Sequence, residues 1–259
     1  MRKLNSSNKK YKIILITLFV IIFVMIICIE FEGAKVDNIV EEFTSRGVYQ
    51  TTENYIAYYK VPKEYIYEDT DNRIVDSYND IYVGTTGDVY ISSKDPLNFF
   101  LSEYISNNIR IGHSAIVYSE GAKTTVEVTG NAGKENNVVK EYENDWFKER
   151  AKEIIVMRRK DINSEDKRNL QLWLTKQYNK KYNYFFLLHM QNRFYCLDLC
   201  SRAYESIGKD IDGKSLATLG SSIIKNEDMY IIYYKKKVNK ENINYEVYYL
   251  SEEWYVSFK

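Results

Sequence analysis

Residues 192–208, NRFYCLDLCSRAYESIG, decide how this chain is interpreted, because an aromatic and polar segment turns there into a helix at Cys196. A thiol attacks carbonyl groups as the thiolate, and a helix N-terminus together with a neighbouring imidazole lowers the pKa of the thiol. Gly208 is expected to end the helix, since glycine readily adopts the left-handed conformation found after helix C-termini. The stretch therefore predicts a helix that presents a reactive cysteine in its first turn.

Two histidines in the sequence, His113 and His189, could act as the base for this cysteine. His113 lies in IGHSAIVY (111–118), and the short connection SEGA joins this predicted strand to KTTVEVTG (123–130) as a hairpin. Glu127 on the second strand could then hold one imidazole nitrogen while the other faces the thiol. His189 is the alternative base, but it lies in an apolar loop where a structural role is the simpler interpretation.

Each candidate also has a structural interpretation. Cys196 could pack in the core through an apolar helix face, His113 could be a core histidine with satisfied hydrogen bonds, and Glu127 could face solvent. The catalytic interpretation requires a base within hydrogen-bond reach, a group that orients the base, and an oxyanion site. Backbone N–H groups at the start of the Cys196 helix are expected to supply that oxyanion site.

The composition excludes several classes of protein. The 259 residues carry 36 basic and 36 acidic side chains, and five of the bases fall within residues 1–12, which leaves the remainder mildly acidic. A nucleic-acid-binding surface needs clustered positive charge, so we expect no nucleic-acid partner. The length and a hydrophobic content of 45% predict a folded domain with a substantial core.

The three cysteines are interpreted as free thiols. Cys28 falls in an apolar N-terminal segment, which leaves Cys196 and Cys200 in the rest of the chain. Residues four apart share a helix face, but a disulfide bond between these two would strain its geometry and remove the nucleophile. The sequence has no CxxC or HExxH spacing, so we expect no metal site and no other cofactor.

An apolar segment near the N-terminus predicts attachment to a membrane. Residues 13–29 contain one clearly polar side chain, Thr17, and as a helix they would span about 25 Å of a ~30 Å hydrocarbon core. The basic residues before this segment, and Glu30 and Glu32 after it, predict a single pass through the cell membrane. The N-terminus would be cytoplasmic and the remaining chain outside. A cleaved signal peptide is the alternative, but no small-x-small cleavage site follows closely.

The sequence divides into four predicted parts, which are a basic cytoplasmic tail (1–12), a transmembrane signal anchor (13–31), a membrane-proximal extension (32–84) and a hydrolase domain (85–259). Within the extension, apolar spacing predicts a helix over 35–45, whereas residues 50–80 show no clean period and receive no assigned role. Other patterns predict strands at 87–93, 152–159, 229–235 and 244–250, a helix opened by Asp95-Pro96, and a helix from Asn163-Ser164 to Tyr178.

Taken in order, these segments resemble the permuted papain-like hydrolases of the NlpC/p60 superfamily, specifically the YiiX-like group. The shared pattern is a Gly-Asp strand, then GHSAIV, then VEVTG, then a distant Tyr-Asn pair and FYCLDLCSRAY, over about residues 85–210. In this group histidine comes first, the acidic residue follows on the next strand and cysteine comes late, unlike the order in ordinary papain-like enzymes. The resemblance implies an α+β fold with an antiparallel sheet packed against helices, here preceded by one N-terminal transmembrane helix.

By position, the resemblance implies that Cys196 is the nucleophile, His113 the general base, and Glu127 the residue that orients the base. It implies amidase or peptidase chemistry through an acyl-enzyme, and a location outside the membrane makes cell-wall peptide a candidate substrate. Relatives of this group that act on acyl lipids offer an alternative, a lipid acyltransferase or thioesterase. A non-catalytic binding domain on the same scaffold is a third hypothesis, and it predicts an unreactive thiol.

Flanking positions of the resemblance add candidates near the substrate and the oxyanion site, namely Tyr182, Asn183 and Tyr195. Two positions depart from the group's pattern. Leu197 stands where the group usually has a small serine, and Cys200 replaces an aliphatic residue. The larger Leu197 is expected to narrow the space near the thiol, which bears on rate and substrate more than on fold.

Overall fold

The apolar N-terminal segment and the helix predicted after it form one continuous helix, α1 (Arg2–Ser45), in the computed structural model. Large apolar side chains between residues 13 and 27 are exposed along α1, whereas Val36, Val40 and Phe43 are buried. One part of α1 is therefore bare and apolar, and a later part belongs to the core. The structure describes residues 2–62, 82–93, 100–130, 137–147, 153–186, 190–214 and 217–251.

Four further helices and eleven strands occur in these described ranges. The helices are α2 (Phe100–Ile109), α3 (Ser164–Thr175), α4 (Cys196–Glu205) and α5 (Gly220–Ile224). The strands are β1 (Val48–Glu53), β2 (Ile56–Pro62), β3 (Val89–Ser92), β4 (His113–Val117), β5 (Thr124–Glu127), β6 (Lys140–Glu143), β7 (Glu153–Arg159), β8 (Lys181–Tyr182), β9 (Arg193–Phe194), β10 (Met229–Lys240) and β11 (Ile243–Ser251).

Nine of these strands form one sheet in the order β1-β2-β11-β10-β7-β3-β4-β5-β6, and β8 pairs with β9 separately. Every described pair in the large sheet is antiparallel except β2 with β11, which is parallel. This pair departs from the purely antiparallel sheet expected from the sequence. It arises because β1 and β2, from the stretch without an assigned role, extend the sheet beyond the C-terminal strand.

The α+β class with a large sheet packed against helices is confirmed, and so are most of the predicted elements. The strands predicted at 87–93, 152–159, 229–235 and 244–250 appear as β3, β7, β10 and β11. The N-terminus of α3 has the expected cap, since the Asn163 side chain accepts from the Asp166 N–H at 2.9 Å and Asp166 accepts from the Asn163 N–H at 3.1 Å. The Asp95-Pro96 start lies outside the described residues.

The hairpin that carries the predicted base is also present. Val117 of β4 pairs with Thr125 of β5, so their side chains lie on the same face of the sheet. Every second residue along each strand shares that face. His113 is four residues before Val117, and Glu127 is two residues after Thr125. Both side chains therefore point to one face, at the same end of the hairpin, and this is the face on which α4 packs against β4.

Candidate active site

Cys196 is the first residue of α4, as its sequence predicts. Tyr195 before it has an extended backbone, with φ −96° and ψ 168°, and its carbonyl accepts the helical hydrogen bond from the Leu199 N–H at 3.0 Å. The first N–H groups of a helix have no partner within the helix, and the helix dipole favours negative charge there. Cys196 is buried, with 7% of its surface exposed, so that dipole acts on the thiol with little screening.

His113 bridges the thiol and the predicted carboxylate. Its Nε2 lies 2.8 Å from Oε2 of Glu127, and the imidazole also hydrogen-bonds with the Cys196 side chain. Because Nε2 is taken by Glu127, the nitrogen left for the thiol is Nδ1. The structure thus brings together the three residues predicted as the catalytic set, from the starts of β4 and α4 and the end of β5.

The charges of the three groups support one another. Burial by itself would lower the pKa of His113, but its hydrogen bonds with Cys196 and Glu127 outweigh burial and raise the pKa to about 10. For Cys196, burial would raise the pKa, and the hydrogen bond and charge of His113 bring it below the usual thiol value. Burial likewise opposes ionisation of Glu127, yet the bond with His113 lowers its pKa. The favoured state is thiolate, imidazolium and carboxylate.

Trp146 is part of this arrangement, although the sequence patterns did not single it out. Its indole N–H donates to Oε1 of Glu127 at 2.7 Å, and its ring stacks on His113 with centroids 5.3 Å apart and planes at 11°. Thr125 donates its hydroxyl to the same carboxylate oxygen at 2.7 Å. Trp146 is in a loop after β6, where no strand or helix period marks its side chain as pointing toward the site. The only indication in the sequence that Trp146 could contribute to the site is that a large aromatic residue lies in a largely polar stretch.

Ser114 is a second group that the sequence patterns left unassigned. Its backbone and side chain both hydrogen-bond with Cys196, and both contacts lower the pKa of the thiol after the larger effect of His113. The Cys200 thiol points to the Ser114 hydroxyl with a sulfur–oxygen distance of 3.8 Å. Burial raises the pKa of Cys200 well above the usual value. Cys196 and Cys200 are therefore both free thiols, as predicted, and of these two it is Cys196 whose pKa is lowered.

The three flanking candidates occupy different positions around the thiol. Tyr182 packs its ring against Gly130 and has its pKa raised by burial and then by the charge of Cys196, so its hydroxyl shares the site's electrostatic field. Burial is also the main cause that raises the pKa of Tyr195 to about 12, and its hydroxyl accepts from the Thr218 N–H at 2.7 Å. The Asn183 side chain is buried and accepts from the Phe185 N–H at 2.9 Å, which shapes the loop.

An exposed aromatic segment, which we call the aromatic lip, borders the site. It consists of Tyr184, Phe185 and Phe186, which are 55%, 63% and 52% exposed. Phe186 contacts the Tyr195 ring at a centroid distance of 5.4 Å, and Tyr184 contacts Tyr182 at 4.9 Å. The charge of Cys196 acts on both Tyr182 and Tyr195, so the lip contacts two rings that neighbour the thiol. The alternative base, His189, lies outside the described residues.

Comparisons with known proteins find similarity to a family model and to a solved structure. A family model described as "Permuted papain-like amidase enzyme, YaeF/YiiX, C92 family" matches residues 85–253. The crystal structure of a protein named metalloprotein yiiX from Escherichia coli O157:H7 matches with a TM-score of 0.43 and 15% identity, covering 61% of this chain and 98% of that one. No curated protein matches the chain significantly.

Among the residues described here, no group of three or more His, Cys, Asp or Glu side chains is arranged to hold a metal ion. The three polar groups that meet at the site are a thiol, an imidazole and a carboxylate already bonded to one another. These side chains do not fit a metal site, so no step of the chemistry below is assigned to a metal.

Proposed function

The chain belongs to the permuted papain-like amidase family of the YaeF/YiiX type, and on this premise we propose that it is a membrane-anchored hydrolase whose nucleophile is Cys196. The family supports an amidase- or peptidase-type hydrolase, as the resemblance in the sequence implied. The roles of individual residues, the anchor and the substrate are our proposals. Three lines of support follow, from hydrogen bonding, from helix position and from the exposed surface of α1.

The observation that carries the proposal is the hydrogen-bonded series from Cys196 through His113 to Glu127. A buried thiol next to a helix N-terminus, with its pKa lowered by an imidazolium, is the environment of a nucleophilic cysteine. A buried histidine whose far nitrogen is held at 2.8 Å by a carboxylate has its orientation fixed for proton transfer. A non-catalytic binding domain has no need of either feature.

In the first chemical step, the Cys196 thiolate attacks the carbonyl carbon of an amide and forms a carbon–sulfur bond. The carbonyl oxygen takes the negative charge, and backbone N–H groups of the first turn of α4 stabilise it. The His113 imidazolium gives its proton to the departing amine as the carbon–nitrogen bond breaks. The products of this step are a thioester on Cys196, a free amine and a neutral imidazole.

In the second step, the neutral His113 takes a proton from water, and the resulting hydroxide attacks the thioester. The carbon–sulfur bond breaks, the carboxylic acid leaves, and the thiolate–imidazolium pair returns. Glu127 keeps its negative charge throughout, because its function is to orient the imidazole and stabilise the imidazolium. Trp146 and Thr125 act through Glu127 and are positioning residues.

The exposed apolar part of α1 supports the membrane anchor. The helix contains a membrane-length apolar segment with a mean hydropathy of 3.2 that is 0% buried inside the protein. A bilayer would remove this apolar surface from water, and the helix already makes its backbone hydrogen bonds within the segment. The basic residues before the segment favour a cytoplasmic N-terminus, which leaves the hydrolase domain on the outer side. A cleaved signal peptide remains the competing hypothesis for the same segment.

The substrate we propose first is a peptide amide outside the membrane, with cell-wall peptide as the candidate. The family's amidase chemistry and the outward location support it. One observation favours a second candidate, an acyl-lipid substrate for a transferase or thioesterase of the same fold. The aromatic lip presents three consecutive exposed aromatic side chains beside the nucleophile, and this surface suits an acyl chain better than a polar peptide.

The test of the catalytic pair is the rate of thiol alkylation in the full chain, purified in detergent with Cys28→Ser to leave two cysteines. We expect iodoacetamide to modify one thiol per chain near neutral pH, and Cys196→Ser to remove that reactivity. His113→Ala should slow labelling about 100-fold, since it removes the cation that stabilises the thiolate. Hydrolysis of wall peptides and of phospholipid or thioester substrates then separates the two substrate classes.

The matched control for His113→Ala is His189→Ala, which removes the only other histidine in the sequence. We expect labelling in this control to match the parent rate. If His189→Ala slows labelling and His113→Ala does not, the base is misassigned. If neither variant changes a slow parent rate, the binding-domain hypothesis replaces the enzyme.

A further inference from the structure

We propose that the aromatic lip contacts the surface of the bilayer that holds α1, so that the active site takes substrates embedded in that membrane. This inference rests on the proposed anchor and hydrolase function, and it adds a lipid surface as partner and membrane-embedded amphiphiles as the substrate class. It follows from the way the hydrolase domain is attached to α1, from the route between that attachment and the thiol, and from the exposure of the lip.

The attachment begins where the apolar segment ends. α1 continues as a helix from Ile29 to Ser45, and the nine residues from Ile29 to Asp37 rise about 12 Å. Over this distance Glu32 forms an ion pair with Lys225, and Asp37 pairs with Arg110 at 2.9 Å. A flexible linker between span and domain is therefore absent from the described residues, and the domain is held within a few helical turns of the membrane.

Both of these contacts lead directly to the active site. Arg110, which also pairs with Glu153 at 3.0 Å, is three residues before His113. Lys225 ends α5, and the Thr218 N–H just before α5 donates to the Tyr195 hydroxyl at 2.7 Å. The site is thus fastened to the membrane-proximal part of α1 by short connections from two directions.

The two connections also contact each other, which limits their movement. Gly220, the first residue of α5, lies so close to the carbonyl oxygen of Arg110 that no Cβ would fit between them. Glycine is required at this position because of that close approach. The His113 end of β4 and the start of α5 therefore move as one unit with α1, and the height of the thiol above the membrane is set by the helix.

The aromatic lip has the composition expected of a surface at the lipid head groups. Tyrosine is enriched at membrane interfaces because its ring is apolar and its hydroxyl is polar, and phenylalanine gains from burial among acyl chains. In water, three consecutive aromatic side chains that are each more than half exposed are unfavourable. Contact with the bilayer removes this cost and would bring the site close to the interface, because Phe186 packs on Tyr195, the residue that precedes Cys196.

The experiment measures how deeply residue 185 enters the bilayer. It uses fluorescence quenching in the full chain, reconstituted into phosphatidylcholine vesicles. Phe185→Trp introduces the reporter at the most exposed position of the lip, and lipids brominated high on the acyl chain act as quenchers. The matched control is Leu172→Trp on α3, where Leu172 is 55% exposed. α3 contacts Tyr118 through Gln171 and Thr175, at the end of β4 opposite to His113.

After subtraction of the parent signal, we expect quenching at position 185 to be at least roughly twofold greater than at position 172, as for an aromatic side chain at the interface. Equal quenching at the two positions in protein that remains membrane-bound would overturn the inference. Thiol alkylation in the same vesicles reports on the proposed function separately. A reactive Cys196 with an unquenched lip rejects the membrane contact alone, whereas a quenched lip with an unreactive Cys196 rejects the enzyme alone.

Discussion

The indole nitrogen of Trp146 lies 2.7 Å from Oε1 of Glu127, while the same ring stacks on His113, the group that Glu127 holds. The Trp146 side chain thus contacts both His113 and Glu127 and shields the hydrogen bond between them from water. Trp146 is 1% exposed and Glu127 is 3% exposed, so the two are buried together. In this low-dielectric position, the direction of each hydrogen bond strongly affects the charges at the thiol.

Replacing Trp146 with Phe keeps a stacked ring and removes the N–H donor. The hydrogen bond lowers the pKa of Glu127, so the variant should raise that pKa. Protonation of Glu127 removes the charge that holds His113 as the imidazolium, and the thiolate then loses its partner, so the acidic limb of the pH–rate profile should move to higher pH. We expect activity to fall about tenfold, in keeping with ~1.5 kcal/mol for a hydrogen bond to a charged group. Trp173→Phe, at a ring outside the site, is the control. A profile that keeps its shape would show that Trp146 acts only in packing.

Glu127→Gln removes the charge that stabilises the imidazolium. The pKa of His113, raised to about 10 by its partners, should then fall by about one unit or more, because an opposite charge in contact is lost. The basic limb of the rate profile should move to lower pH by the same amount. Glu143→Gln on β6, an exposed position, is the control and should leave that limb in place. An unchanged basic limb in Glu127→Gln would contradict the orienting role.

The parent enzyme should show a bell-shaped dependence of kcat/KM on pH. The pKa of Cys196 is lowered, so the thiolate persists to lower pH than that of an ordinary cysteine, and the rate falls as acid protonates it. His113 has its pKa raised to about 10, and the amine needs its proton, so the rate falls again as pH rises through that value. The contribution of charged His113 to the free energy of unfolding should also decrease as pH rises through the pKa of His113. It is complete below the unfolded pKa of about 6.5 and is lost near pH 10.

Val36→Ala tests whether the later part of α1 belongs to the core of the hydrolase domain. Val36 is 0% exposed, and removing its two methyl groups should lower the free energy of unfolding by about 2 kcal/mol. Val48→Ala on β1, where the side chain is 57% exposed, should change it by less than about 0.5 kcal/mol. Denaturant unfolding of the detergent-solubilised chain measures both. Equal changes in the free energy of unfolding for the two variants would mean that Val36 of α1 does not contribute to the core of the domain.

The sequence predicted the core of the candidate site because two local patterns specified it. Helix-start chemistry marked Cys196, and period-2 alternation in a short hairpin put His113 and Glu127 on neighbouring strands. Each pattern depends on residues within a few positions of one another, which is the range over which propensity and turn chemistry act. The order of the segments along the chain then supplied the family, which the family model confirms.

The parts that were missed depend on contacts between distant residues. Trp146 reaches Glu127 from an irregular loop, and nothing in its neighbourhood indicates that direction. Residues 48–62 alternate poorly because β1 contains a bulge and the turn after it uses positive φ at Asn54 and Tyr55. The continuity of α1 through Gly33 was also missed, since glycine there reflects close packing against Asn108 and not a break in the helix.

The parallel pairing of β2 with β11 has a consequence for biogenesis. Residues 56–62 align with residues 245–251, so β2 can be completed only by a segment that is synthesised about 190 residues later. Until that segment is available, β2 and β10 each have an open edge that can pair with other chains. Completion of the sheet therefore depends on residues 243–251, and a product truncated before residue 243 should be cleared by quality-control proteases instead of accumulating.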